Sequence, residues 1–125
     1  MPSMVSLAAL AASTVLGLLQ PPYLGIACPG PNTTTCGRVG IAVWLRGPAR
    51  RVDASLAGVT VRLHDDGLAG QYWTGYATLP LGRLGLPPRW YGTKPTKWLL
   101  LRLAIRRADG TARGAVRAFL HAGFG

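Results

Sequence analysis

Two alternating stretches near the C-terminus, Lys97–Arg107 and Thr111–His121, flank Ala108-Asp109-Gly110-Thr111. Strict alternation of apolar and polar residues is the period of a half-buried strand, and Asp-Gly is the strongest short hairpin signal. Placing Asp109-Gly110 at a two-residue turn sets Leu99 opposite Leu120, Leu101 opposite Ala118, Leu103 opposite Val116 and Ile105 opposite Gly114. That side is a core face. On the other side Arg102 would face Arg117, Ala104 would face Ala115, and Arg106 would face Arg113. A one-residue slip would mix the two faces, so which residues point inward is strongly specified.

The rest of the chain reads in the same way. Seventeen glycines and ten prolines in 125 residues punctuate it into short pieces. Glu is absent and Lys occurs only at 94 and 97, so two good helix formers are nearly missing. Arg38–Arg46 alternates with Val39, Ile41, Val43 and Leu45 on one face, before Gly47-Pro48 ends it. Arg51–Leu56 and Val59–His64 flank Ala57-Gly58, with Val59, Val61 and Leu63 inward. Tyr72–Leu79 is rich in strand formers. Pro80–Pro95 is a long irregular connection, with Trp90-Tyr91 in its middle to pin it. Six or seven short strands with no repeats predict an all-β domain. The expected form is an immunoglobulin-like β-sandwich following an N-terminal apolar helix, with a small β-barrel as the alternative.

The N-terminus has a different character. No charged side chain occurs before Arg38, and Met4–Leu19 is a 16-residue apolar run stopped by Gln20-Pro21-Pro22. The run is long for the apolar region of a signal peptide and short for a spanning helix of about 20 residues. No Lys or Arg precedes it, so either the true start lies upstream or the segment is an anchor with unusual flanks. Gly25 and Ala27 satisfy the small-residue rule for cleavage after Ala27. The expected organisation is therefore a signal peptide or membrane anchor over 1–27, a disulfide-closed loop over 28–37 and the β domain over 38–125. The turn-like Pro-Gly-Pro-Asn stretch between Cys28 and Cys36 brings that pair together, and an exported domain favours the disulfide. Leu24-Gly-Ile-Ala-Cys28 is also loosely like a lipoprotein signal, although Gly25 stands where a bulky aliphatic residue is wanted. Asn32-Thr33-Thr34 matches a glycosylation acceptor, which matters only in a eukaryotic secretory pathway.

Charge supplies the only candidate site. The chain carries 12 Arg and 2 Lys against 4 Asp, a net charge of +10, which favours anionic partners. Arg102, Arg106, Arg113 and Arg117 fall on the outer face of the C-terminal hairpin, and Trp98, Leu100, Phe119 and His121 continue that face. Two readings stand. One is a solvated surface with Arg reflecting a GC-rich genome; the other is an anion-binding face for an envelope polymer, lipid headgroups or an acidic protein. His64-Asp65-Asp66 is the only His with neighbouring carboxylates, and Asp-Asp-Gly is ordinary turn chemistry. Past the leader there is one Ser, Ser55, with no nucleophile motif around it, and no phosphate-binding glycine loop follows a strand. Neither a cofactor nor a metal site is expected. Trp44, Trp73, Trp90 and Trp98 read as core and interface aromatics rather than a ligand cage.

Pro21-Pro-Tyr-Leu-Gly-Ile-Ala-Cys28 together with Cys36-Gly-Arg-Val-Gly-Ile-Ala-Val-Trp-Leu-Arg46 resembles short uncharacterised actinobacterial proteins that carry an N-terminal signal or membrane segment and one small extracytoplasmic domain. The resemblance spans roughly residues 4–64 and implies a bacterial envelope, and it brings no catalytic or binding residues to carry over. The expectation is thus a non-enzymatic, extracytoplasmic interaction or structural module, membrane-anchored or secreted, held to the membrane through residues 4–19 where these are uncleaved. A nucleic-acid-binding protein is one alternative, disfavoured by export, and a small secreted hydrolase using His64 is another.

Overall fold

The computed structural model describes residues 15–26, 38–79 and 97–121. Eight strands occur there in chain order: β1 (Tyr23–Ile26), β2 (Arg38–Trp44), β3 (Arg51–Leu56), β4 (Val59–Arg62), β5 (His64–Asp65), β6 (Tyr72–Thr78), β7 (Lys97–Arg107) and β8 (Gly110–His121). They form one sheet in the order β4-β3-β7-β8-β1-β2-β6-β5. The protein is all-β, as its alternation and turn content predict. The expected two-sheet sandwich does not form: a single sheet curls into a nearly closed, barrel-like shape, in line with the barrel alternative.

Closure follows from small residues at one seam. β4 pairs with β3, and β5, one residue further on, pairs with β6. Leu63 joins the two and is buried, and its amide donates to the Val52 carbonyl at 2.9 Å. A Cβ on Gly75 of β6 would sit 2.8 Å from Leu63 Cδ2, so the missing side chain lets the seam come together. β4 accordingly lies alongside β6 as well as β3.

The interior is filled by the inward face of every long strand. Leu24, Ile41, Leu56, Leu101, Leu103, Ile105 and Leu120 are fully buried, and among the described residues no polar or charged side chain is buried. Trp73 enters this core with its indole N–H donated to the Gly70 carbonyl at 2.8 Å, which satisfies its one polar atom. A wholly apolar lumen of this size is a packed core, so chemistry has to lie outside it.

The C-terminal hairpin is longer than its turn signal alone would fix, and its register differs from expectation. Arg107 pairs with Gly110, leaving Ala108-Asp109 as the turn, and every pairing shifts by two: Leu101↔Val116, Leu103↔Gly114, Ile105↔Ala112. The reason is backbone handedness. A type I′ turn needs positive φ at both central residues, and Asp109 does not take it; Gly110 alone does, at 139°. Gly110 therefore follows the turn instead of forming half of it. A shift of two preserves which side chains face inward.

The end of the apolar N-terminal run belongs to the barrel. Val15 and Leu16 have helical backbone, Leu18 bridges to Leu45, and β1 lies between β8, which it pairs with in parallel, and β2. Leu16, Leu18, Leu24 and Ile26 are all buried. Leu16 packs where Gly114 leaves room, since a Cβ there would meet its side chain at 3.4 Å. Arginines answer the carbonyls where the helical turn ends: Arg107 Nη2 donates to Leu16 O at 2.9 Å and Arg46 Nε to Leu18 O at 3.1 Å. Among the described residues no helix is long and apolar enough to cross a membrane. Cys28, Cys36, the Asn32 acceptor, most of Met4–Leu19 and the Pro80–Pro95 connection lie outside the described residues.

Candidate anion-binding face

Alternation along β3, β4, β7 and β8 puts their polar residues on one outer surface. Arg102 and Arg106 come from β7 and Arg113 and Arg117 from β8, all four exposed. The structure thus brings the four predicted arginines onto one face. It does not pair them. Arg102 stands opposite Ala115, Arg106 opposite Thr111, Arg113 opposite Ala104 and Arg117 opposite Leu100. The two-residue shift in register turns two facing pairs into a staggered series, which removes the direct like-charge pairing between β7 and β8.

Two further arginines join them from strands that sequence reading kept separate. Arg51 of β3 lies directly across from Arg106, and Arg62 of β4 is the partner of Asp53. Among the described residues the ion pairs are those of Asp53: Arg51 Nε donates to it at 2.9 Å and Arg62 Nε reaches it at 3.5 Å. The surface of these four strands therefore holds six arginines against one carboxylate. The signal for Arg51 lay in the Arg51-Val52-Asp53-Ala54 alternation, but only the β3–β7 pairing shows which strand it adjoins.

The floor between the arginines is small and partly hydroxylated. Ala104 and Ala115 keep it low, and Ser55 Oγ and Thr60 Oγ1 share a hydrogen bond at 2.7 Å. With Arg102 and Arg113 these residues line an open depression of about 530 Å³. Guanidinium groups with five fixed donors each suit phosphate and carboxylate oxygens.

An aromatic series continues the face toward the far end of the hairpin. Trp98 pairs with Phe119 across the strands, their rings edge to face at 5.4 Å. Phe119 meets His121 at 5.0 Å, and His121 stacks on Tyr23 at 4.4 Å. The Arg117 guanidinium lies 6.0 Å from the Trp98 ring centroid, at the outer limit of a cation–π contact. Of the other tryptophans, Trp73 is core and Trp44 stacks half-buried on Tyr72, while Trp90 lies outside the described residues.

The His64 cluster is the short strand β5 and the start of the turn that follows it. His64, Asp65 and Asp66 are exposed. Asp65 Oδ1 accepts the Gly67 amide at 3.2 Å, and Asp66 Oδ2 accepts the Thr74 hydroxyl at 3.2 Å. Both carboxylates thus hold the chain reversal into β6. Among the described residues no group of three His, Cys, Asp or Glu side chains could hold a metal ion.

Fold and surface together define the class: a small all-β protein with an apolar, barrel-like interior and a strongly basic outer face. No family model matches the chain, and no curated protein is significantly similar to it in sequence. Among solved structures it is similar to the endo-beta-1,4-mannanase from Thermotoga petrophila, at 10% identity and a TM-score of 0.37. The match covers 83% of this chain and 20% of that one, so the chain spans about a fifth of the enzyme's length. A likeness at that level carries no argument about activity.

Proposed function

We propose that the protein is a non-enzymatic, extracytoplasmic module of the cell envelope, a small barrel that binds an anionic surface through its arginine face. The observation that carries the reading is the gathering of Arg102, Arg106, Arg113 and Arg117, with Arg51 and Arg62, on one sheet surface that has a single carboxylate, Asp53. Export comes from the uncharged apolar N-terminus, and it has a structural condition. β1 and the buried Leu16 and Leu18 belong to the barrel, so processing compatible with this fold falls before Leu16 rather than after Ala27.

The test replaces Arg102, Arg106, Arg113 and Arg117 together with Gln and measures binding to phosphatidylglycerol vesicles across a salt series. Each arginine near an anionic surface contributes about 1 kcal/mol, so the quadruple variant should bind on the order of 10³-fold more weakly at low salt. Wild-type binding should fall steeply as salt rises. Binding that ignores both the substitutions and the salt would sink the reading.

A further inference from the structure

We infer that the arginine face is a ruler for an extended, base-free phosphodiester polymer, a polyol phosphate chain lying along the β7–β8 hairpin. This rests on the anion-binding reading above and names its ligand. The cross-strand partners place the arginines in successive rows along the hairpin: Arg106 on β7, then Arg113 on β8 beside Ala104, then Arg102 on β7, then Arg117 on β8 beside Leu100. Each row is two residues from the next. A strand rises about 3.4 Å per residue, so one guanidinium is presented roughly every 7 Å, alternating left and right over about 20 Å.

That period matches one covalent repeat. Three backbone bonds carry a peptide about 3.8 Å from Cα to Cα, so the six bonds from phosphorus to phosphorus through a three-carbon diol span roughly 7 Å when extended. Four successive phosphates of such a chain can therefore each meet one arginine, with the intervening carbons over Ala104, Ala115 and Leu100. Each of the four hairpin rows carries one arginine of its own, and at the first row Arg51 of β3, across from Arg106, adds a second charge. The stagger is what the shifted register produces.

The same repeat length occurs in single-stranded nucleic acid, and the floor argues against it. Proteins that bind single strands stack successive bases on aromatic side chains. Between Arg106 and Arg102 the rows hold Thr111, Ala104 and Ala115, and the aromatics Trp98 and Phe119 begin only beyond Arg117. A polymer whose repeat carries no ring needs no platform there.

Salt-dependent affinity of the full chain for glycerol phosphate oligomers of two, four and eight repeats tests this, with inorganic tetraphosphate and the oligonucleotide dT4 beside them. Single-strand phosphate contacts each contribute about −0.7 to the slope of log K against log salt, so the slope should steepen from about −1.4 to about −2.8 between two and four repeats and then stay constant at eight. Arg113→Gln and Arg102→Gln should each lower the four-repeat slope by one contact, while Arg38→Gln, exposed on β2 away from this face, should leave it unchanged. Tetraphosphate, with two bonds between phosphorus atoms, is too short to reach four rows and should show a shallower slope. A slope still growing at eight repeats, equal slopes for tetraphosphate and the four-repeat oligomer, or tighter binding of dT4 would overturn the proposal. The two readings fail separately. Arginine-dependent vesicle binding without a four-repeat plateau removes the ruler and keeps the envelope module; vesicle binding indifferent to all four arginines removes both.

Discussion

Ala57 holds a φ of 49° and Gly58 one of 83°, the paired left-handed conformation of a type I′ turn between β3 and β4. Glycine adopts it freely, whereas alanine sets its Cβ against the backbone, at a cost on the order of 1 kcal/mol. Asn tolerates the same region because its short side chain bonds locally. Ala57→Asn should accordingly stabilise the protein by about 0.5–1 kcal/mol. A urea midpoint that rises without a change in slope would confirm it, and a lower midpoint would mean the turn is built otherwise. Residues of this kind were partly legible in advance. Ala57-Gly58 stood out as a break between two alternating runs, and Asp109-Gly110 as a hairpin. Which of the two residues takes positive φ did not, because an aspartate can adopt the left-handed region in one context and avoid it in another.

At the scale of elements, most strands were readable because a large apolar residue recurs at every second position. Val39, Ile41 and Val43 of β2, or Leu101, Leu103 and Ile105 of β7, announce themselves by period alone. β1 did not. Tyr-Leu-Gly-Ile is four residues long and follows an apolar run and two prolines, so it carries no periodic signal distinguishable from a leader. Its role comes from neighbours far along the chain, Leu24 against both Ile41 and Leu120. A consequence can be measured. Removing residues 1–27 deletes β1 with buried Leu16, Leu18, Leu24 and Ile26, and a single buried Leu-to-Ala change already costs about 2–5 kcal/mol against total stabilities of about 5–15. That truncation should lose its cooperative thermal transition in circular dichroism. Removing residues 1–14 leaves these contacts in place and should keep the transition. Equal behaviour of the two would show that β1 is dispensable.

For the molecule as a whole, the decisive event is closure of the sheet where Leu63 crosses Gly75. One residue couples the β3–β4 half to the β5–β6 half, and the space it fills exists because position 75 lacks a Cβ. Gly75→Val should force Leu63 aside and destabilise the protein by about 1–3 kcal/mol. Tryptophan fluorescence, with Trp73 buried beside the seam, should report unfolding at lower urea; an unchanged midpoint would show that the seam is loose. The arginine face depends on the same curvature only indirectly, since β3, β7 and β8 remain paired without it. Its six arginines are gathered by tertiary contacts, Arg51 beside Arg106 and Arg62 beside Asp53, between segments separated by up to about 55 residues.

Sequence by itself determined the class and the facing of this protein. Period-two alternation decides which side chains turn inward whatever the partner strand, so the all-β content, the apolar interior and the outward set Arg102, Arg106, Arg113 and Arg117 follow from local pattern. Tertiary structure alone decided the pairing: one curled sheet in place of two layers, β1 as a strand of it, and a hairpin register two residues from the expected one. The physical reason is that a shift of two leaves every side chain on its own face, so hydrophobic pattern cannot detect it. Only the backbone handedness at Gly110 and the packing of distant strands select among such registers, and that selection turned facing arginines into an evenly spaced series.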